Sequence, residues 1–198
     1  AFKAHLSRLM AMPTESQNPE RAPVLDEYIA REMKPLFEEM GFACTVLHHP
    51  LAKGPFLFAE WHEGNDLPTI FGYGHGDVIR GLDREWKEGL TPWGLNDRNG
   101  TWYGRGVVDN KGQHLVNITA LRAVLKAQGK LGFNAKYLIE MGEEMGSPGL
   151  KELCQERADL FRSDVLIASD GPRLNAERPT LFLGARGGIT FDLSIHAR

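Results

Sequence analysis

The sequence predicts an α/β fold, a mainly parallel sheet flanked by helices. Three observations lead there. Apolar runs of strand length alternate with stretches of helical periodicity through the middle of the chain, the order that builds βαβ units. Four segments end a strand-like run at a glycine-rich turn bearing His or acidic residues, and the carboxyl ends of parallel strands line the ligand crevice of such sheets. Finally, 198 residues with 42% hydrophobic content suffice for one domain with a substantial core and part of a second.

Taken in order, Phe2, Leu6, Leu9 and Met10 recur at helical spacing over residues 1–10, and Met12-Pro13-Thr14-Glu15-Ser16 breaks that pattern. An amphipathic helix follows over 22–40, with Val24, Leu25, Tyr28, Ile29, Met33, Leu36, Phe37 and Met40 on one stripe. Pro35 falls inside it and should kink or divide it, and Gly41 is a natural stop. Strand-like runs at 42–48 and 55–62, joined by Pro50-Leu51-Ala52-Lys53-Gly54, read as a hairpin. Leu67 to Tyr73 is the strand that delivers His75. Residues 79–103, polar and carrying Trp86, Trp93 and Trp102, read as a loop, and loops this long are usually functional or mobile. Leu115, Ile118, Leu121, Val124 and Leu125 mark a helix over 112–128. Ala135 to Met141 is a strand, Leu150 to Phe161 a helix, and Asp164 to Ala168 a short buried strand. Near the end, Ile189, Phe191, Leu193 and Ile195 alternate with Thr190, Asp192, Ser194 and His196, the period of a half-exposed antiparallel strand. That strand is expected to open another domain, which divides the chain into 1–186 and 187–198. Arg186-Gly187-Gly188 reads equally as a hinge or a tight turn.

Composition narrows the function. A net charge of −3 leaves no basic surplus for nucleic acid. No apolar run approaches membrane-spanning length. Cys44 and Cys154 are far apart and form no CxxC, so they read as reduced thiols, with a cytoplasmic location as the default. Gly72-x-Gly74-x-Gly76 is not a dinucleotide fingerprint, and no helix starts promptly after it, which argues against a nucleotide-binding module. His48, His49 and His62 rank low as site residues. His114, early in its helix, reads as solvent-facing.

The chemistry-bearing residues are one His and five acids. His75 and Asp77 lie two apart, so an extended backbone projects both side chains the same way, and Asp77 can accept the imidazole N–H and fix its tautomer. Alone, such a pair reads first as a surface turn, and it becomes informative only with the other three motifs. Asp109 follows Val107-Val108 and precedes a helix, which leaves it open between bridging two metals roughly 3.5–4 Å apart and capping that helix. Adjacent Glu143 and Glu144, flanked by Met141, Gly142 and Met145, are the sharpest signal. Two carboxylates side by side after a buried strand repel unless a cation or proton relieves them. One can bind metal while the other serves as general base. Asp170 before Gly171-Pro172 is a terminal ligand or a turn-initiating Asp. One imidazole among carboxylates suits zinc and an activated water.

In combination, His75-x-Asp77, Gly104-Arg105-Gly106-x-x-Asp109-x-Lys111-Gly112, Glu143-Glu144 and Ser169-Asp170-Gly171 resemble the di-zinc amidohydrolases and exopeptidases. That family includes aminoacylases, acetylornithine deacetylase, succinyl-diaminopimelate desuccinylase, glutamate carboxypeptidases and carnosinase-type dipeptidases. Trp86, Pro92-Trp93 and Trp102-Tyr103-Gly104 resemble the family's loop before its bridging aspartate. The resemblance implies two zinc ions, replaceable by cobalt or manganese. It implies His75 and Asp170 as terminal ligands, one to each metal site, Asp109 as the bridge, Glu144 as a ligand, Glu143 as general base and Asp77 as the orienter of His75. It implies a small peptide or N-acyl amino-acid substrate, and a homodimer formed through an α+β lid domain beginning near Gly187. Family members carry one more metal-binding His after the lid, and His196 cannot stand in for it. The chain is therefore expected to be an inactive N-terminal piece of a longer enzyme, with one metal site incomplete. The competing reading is a non-catalytic relative that binds metal or peptide.

Overall fold

The computed structural model describes residues 2–171, 173–175, 177–184, 187, 189 and 191–195. A five-stranded sheet carries the molecule, with strands β1 (Ala43–Leu47), β2 (Phe56–Trp61), β3 (Thr69–His75), β6 (Asn134–Glu140) and β7 (Val165–Ala168) in the spatial order β1-β2-β6-β3-β7. The expected parallel core is real: β3 lies parallel to both β6 and β7. The sheet as a whole is mixed, because the β1–β2 hairpin joins it through an antiparallel β2–β6 ladder. A short hairpin turn returns the chain antiparallel, whereas the β3–β6 connection contains a helix that carries it back to the starting end. This corrects the mainly parallel expectation for one half of the sheet.

Side-chain alternation separates the two faces. Ala135, Tyr137 and Ile139 of β6 pack with helices α1 (Phe2–Met10), α2 (Ala22–Glu27), α3 (Lys34–Glu38) and α4 (Lys111–Gln128). Leu138 of β6 joins Leu47, Phe56, Phe58 and Phe71 against Leu153 of α5 (Leu150–Glu156) and Leu160–Phe161 of α6 (Ala158–Phe161). The stripe expected over 22–40 is helical throughout, but it divides as Pro35 demands. A π-helical turn, Tyr28–Met33, separates α2 from α3, with the Lys34 N–H reaching back to the Ile29 carbonyl. Pro35 has no N–H and its ring crowds the preceding turn, and the wider turn before it relieves both. The helix ends at Gly41, whose φ of +91° is a left-handed stop.

Three expectations need amendment. Residues 79–103 are not all loop: β4 (Asn96–Arg98) and β5 (Thr101–Tyr103) form a hairpin turned at Asn99-Gly100, both at positive φ. All three tryptophan N–H groups there find acceptors, on the Gly81 carbonyl, Asp83 and Asp97. β7 is not buried: Val165, Leu166 and Ile167 are exposed, because β7 pairs with β3 alone among the described residues. The alternation near the end forms no strand among the described residues 187, 189 and 191–195, while Arg186, Gly188, Thr190 and His196 lie outside them. No helix among the described residues is long and apolar enough to cross a membrane.

Candidate metal centre

Parallel register gathers the site. His75 ends β3 opposite Glu140 of β6. Ala168 of β7 pairs with Tyr73, so two residues further along each strand Asp170 comes level with His75. Asp109 enters from the turn before α4, and Glu143 and Glu144 from a 3-10 turn after β6. The α4 N-cap is Asn110, with no side-chain capping bond, so Asp109 is not spent on capping. Its carboxylate oxygen instead lies 3.0 Å from His75 Nε2. Around the same nitrogen stand a Glu143 oxygen at 3.7 Å and an Asp170 oxygen at 3.8 Å.

The ligand atoms of His75, Asp109 and Asp170 all fall within 4.8 Å of one another, a group that could hold one metal ion. The expectation placed His75 and Asp170 on separate metals, whereas their ligand atoms lie close enough to serve a single ion. Their strands are neighbours, so both side chains reach the same point. Glu144 stands outside that trio but shares the 3-10 turn Glu143–Met145 with Glu143.

Asp77 does more than was expected of it. His75 Nδ1 faces the Asp77 backbone carbonyl at 3.0 Å and its carboxylate at 3.3 Å, which leaves Nε2 turned toward the acids. The two oxygens of that buried carboxylate also accept the backbone N–H groups of Glu143 and Glu144, at 3.1 and 3.2 Å. One side chain thus orients the imidazole and anchors the paired glutamates.

Crowding sets the charges. Burial opposes charge on His75, but its hydrogen-bonded neighbours Asp170 and Asp77 outweigh that and raise its pKa to about 11. The His75 hydrogen bond holds Asp170 below the usual carboxylate range. Burial pushes Glu144 up to about 6, with Asp109 adding repulsion, and burial also raises Glu143. Several carboxylates here share one imidazolium, and a divalent cation would satisfy them better. A neutral imidazole with carboxylate oxygens is a donor set that zinc accepts. Beside the trio opens a cavity of about 700 Å³ lined by Val108, Asp109, Gln113, Asp170, Gly171, Arg173 and Asn175, a size that suits a small ligand.

Some residues were misread or missed. His114 is buried, not solvent-facing. Its neighbour Asn110, also buried, donates to Asp170 and accepts from the His75 backbone, and nothing but its place after Asp109 marked it. Thr14, in the stretch read only as a helix break, donates its hydroxyl to the Gly76 carbonyl at 2.6 Å. His49 and His62 face Glu156 and Asn65.

Comparison with known proteins places this arrangement. Residues 72–192, which include all six motif residues, match the model of peptidase family M20/M25/M40. The mouse beta-Ala-His dipeptidase is 37% identical over 148 residues, 73% of this chain and 30% of that protein. The cysteinylglycine-S-conjugate dipeptidase of Corynebacterium striatum is 32% identical over 193 residues, 96% of this chain and 41% of that protein. Human carnosine dipeptidase 1 superposes with a TM-score of 0.79 at 28% identity, covering 86% of this chain and 38% of the solved one. The chain thus spans well under half the length of these relatives.

Proposed function

Since the chain belongs to peptidase family M20/M25/M40, we propose that it carries the metal centre and general base of a zinc-dependent hydrolase acting on dipeptides or N-acyl amino acids. The carrying observation is the convergence of His75, Asp109 and Asp170 around one point, with Glu143 beside it. In this reading those three would hold one zinc ion, and Asp109 with Glu144 would serve a second. The dipeptide preference rests on the names of the relatives, which are dipeptidases. Zinc supplies Lewis acidity at the scissile carbonyl and a water acidified toward neutrality.

The remaining steps belong to this chain's own groups. Glu143 takes a proton from the attacking water and returns it to the leaving amine, a shuttle helped by the raised pKa that partial burial gives its carboxyl. Asp77 keeps His75 Nε2 facing the acids and holds the backbone of the Glu143–Glu144 turn. The cavity beside Asp109 and Asp170 receives the substrate.

The test pairs turnover with metal content. A panel of dipeptides and N-acyl amino acids is offered to the zinc-loaded chain extended to the full length of its relatives, and to the Glu143→Ala variant of that longer protein. We expect hydrolysis by the unsubstituted protein and a loss of ~10²–10⁴-fold in the variant, at unchanged zinc content. If turnover and zinc fall together, the general-base assignment is wrong. Zinc binding with no hydrolysis of any panel member would favour a non-catalytic relative.

A further inference from the structure

Beneath the acidic residues runs a buried polar chain that the mechanism above does not use. Tyr28 OH lies 2.8 Å from His114 Nε2, and His114 Nδ1 lies 3.2 Å from Asn110 Oδ1. Tyr28, Asn110 and His114 are fully enclosed. Space for them is built into β3. A Cβ on Gly74 would stand 2.6 Å from the His114 Cβ and 3.0 Å from Asn110 Oδ1, so a glycine at that position leaves the slot these side chains fill.

Two backbone groups decide every proton in the chain. The His75 N–H can only donate, and it points at one end of the Asn110 amide, 3.3 Å away, which must therefore be the oxygen. The Ser169 carbonyl can only accept, and it faces the other end at 2.7 Å, which must be the NH2. With Oδ1 fixed as an acceptor, His114 Nδ1 has to carry the proton. His114 Nε2 is then bare and accepts from the Tyr28 hydroxyl. The Asn110 NH2 also reaches Asp170 Oδ1 at 3.2 Å. One amide thus steadies the backbone under His75 with its oxygen and the Asp170 carboxylate with its nitrogen. Were it to flip, its oxygen would face the Asp170 carboxylate and repel it.

We propose that His114, acting through Asn110, is a positioning residue for the metal centre: its Nδ1–H, matched to the Asn110 oxygen and steadied at Nε2 by Tyr28, reinforces the amide orientation that holds Asp170 and His75. This rests on the reading of His75 and Asp170 as metal ligands. His114 is suited to the part because it is fully enclosed, and enclosure disfavours a charged imidazole. An imidazolium would still donate from Nδ1, but its Nε2 could no longer accept from Tyr28.

Two measurements test the inference. Nitrogen-15 NMR of the imidazole in the unsubstituted protein should show His114 protonated at Nδ1 and bare at Nε2; the opposite tautomer overturns the proposal without any variant having to fold. Zinc affinity, read by chelator competition, should weaken ~10–100-fold in His114→Leu, the usual scale for a partner of a ligand. It should return close to wild type in His114→Gln, whose amide can donate to Asn110 and accept from Tyr28. Equal affinity in His114→Leu, or a His114→Gln as weak as His114→Leu, overturns the positioning role. Absence of zinc binding in the unsubstituted protein would instead overturn the metal reading itself, and this inference with it.

Discussion

Two layers of polar residues meet at the carboxyl end of β3. In the upper one, the side chains of Asp109, Glu143 and Asp170 keep 67%, 36% and 27% of their surface exposed while crowding one imidazole. In the lower one, Tyr28, Asn110, Lys111 and His114 are fully enclosed. The upper layer tolerates unbalanced negative charge because water screens part of it and a cation can neutralise the rest. The lower layer has no such outlet, so it meets donors with acceptors and sheds charge. Burial lowers Lys111 to about 7, and its ammonium is met by the Leu9 and Met12 carbonyls, at 2.9 and 2.7 Å, and by the Tyr28 ring. The comparison suggests a division of labour for the proposed centre: half-exposed carboxylates gather around the buried His75, and the enclosed groups hold them still.

The strongest way to break that division is Asp109→Ala. Asp109 is the most exposed of the three acids and the one proposed to touch both metals, so its loss should empty the centre while leaving the enclosed layer intact. Elemental analysis after dialysis should show the zinc content of the unsubstituted protein fall to near zero. Unfolding of the metal-free variant should match that of the metal-free parent. A variant that keeps its zinc would remove Asp109 from the ligand set, and one that also loses metal-free stability would mean the layers are not separable.

Gly112→Ala attacks from below. A Cβ there would sit 1.9 Å from the Val107 carbonyl oxygen, a backbone atom that cannot swing aside, so the turn bearing Asp109 and the start of α4 must move. Overpacking of this kind costs about 3 kcal/mol or more, to be read by denaturant unfolding without metal. Wild-type stability in this variant would show that the turn yields freely, which the division of labour forbids.

The upper layer was legible in the sequence and the lower one was not, for a physical reason. His75, Asp77, Asp109, Glu143, Glu144 and Asp170 stand out because charged residues after apolar runs are costly without a purpose. Tyr28 looked like one more apolar residue of a helical stripe, and His114 a polar residue early in a helix. Their roles arise where the Tyr28–Met33 turn meets α4, which packs on β3, a contact between distant segments that no local pattern records. The trio of His75, Asp109 and Asp170 shows the same limit. The motifs named His75 and Asp170, but only the adjacency of β3 and β7 brings them to one point. The hairpin at Asn99-Gly100 is a different matter, since Asn-Gly between two short runs is a strong local turn signal that the tryptophan-rich composition obscured.

The finest test sets the layers apart by pH. His114 titrates near 6.5 when unfolded but near 3 when enclosed. Between those values the unfolded chain takes up a proton that the folded chain refuses. Its contribution to stability is therefore complete above pH 6.5 and declines as the pH falls toward 3. At pH 5 the loss is about 2 kcal/mol, from one and a half pH units at about 1.4 kcal/mol each. In metal-free His114→Gln that component should vanish, since Gln takes up no proton in either state. The acidic residues above are the same in both proteins, so the difference between the two stability–pH curves isolates the enclosed layer. Parallel curves from pH 7 to pH 4 would mean that His114 is solvated or charged in the folded state, and that the two layers obey one rule.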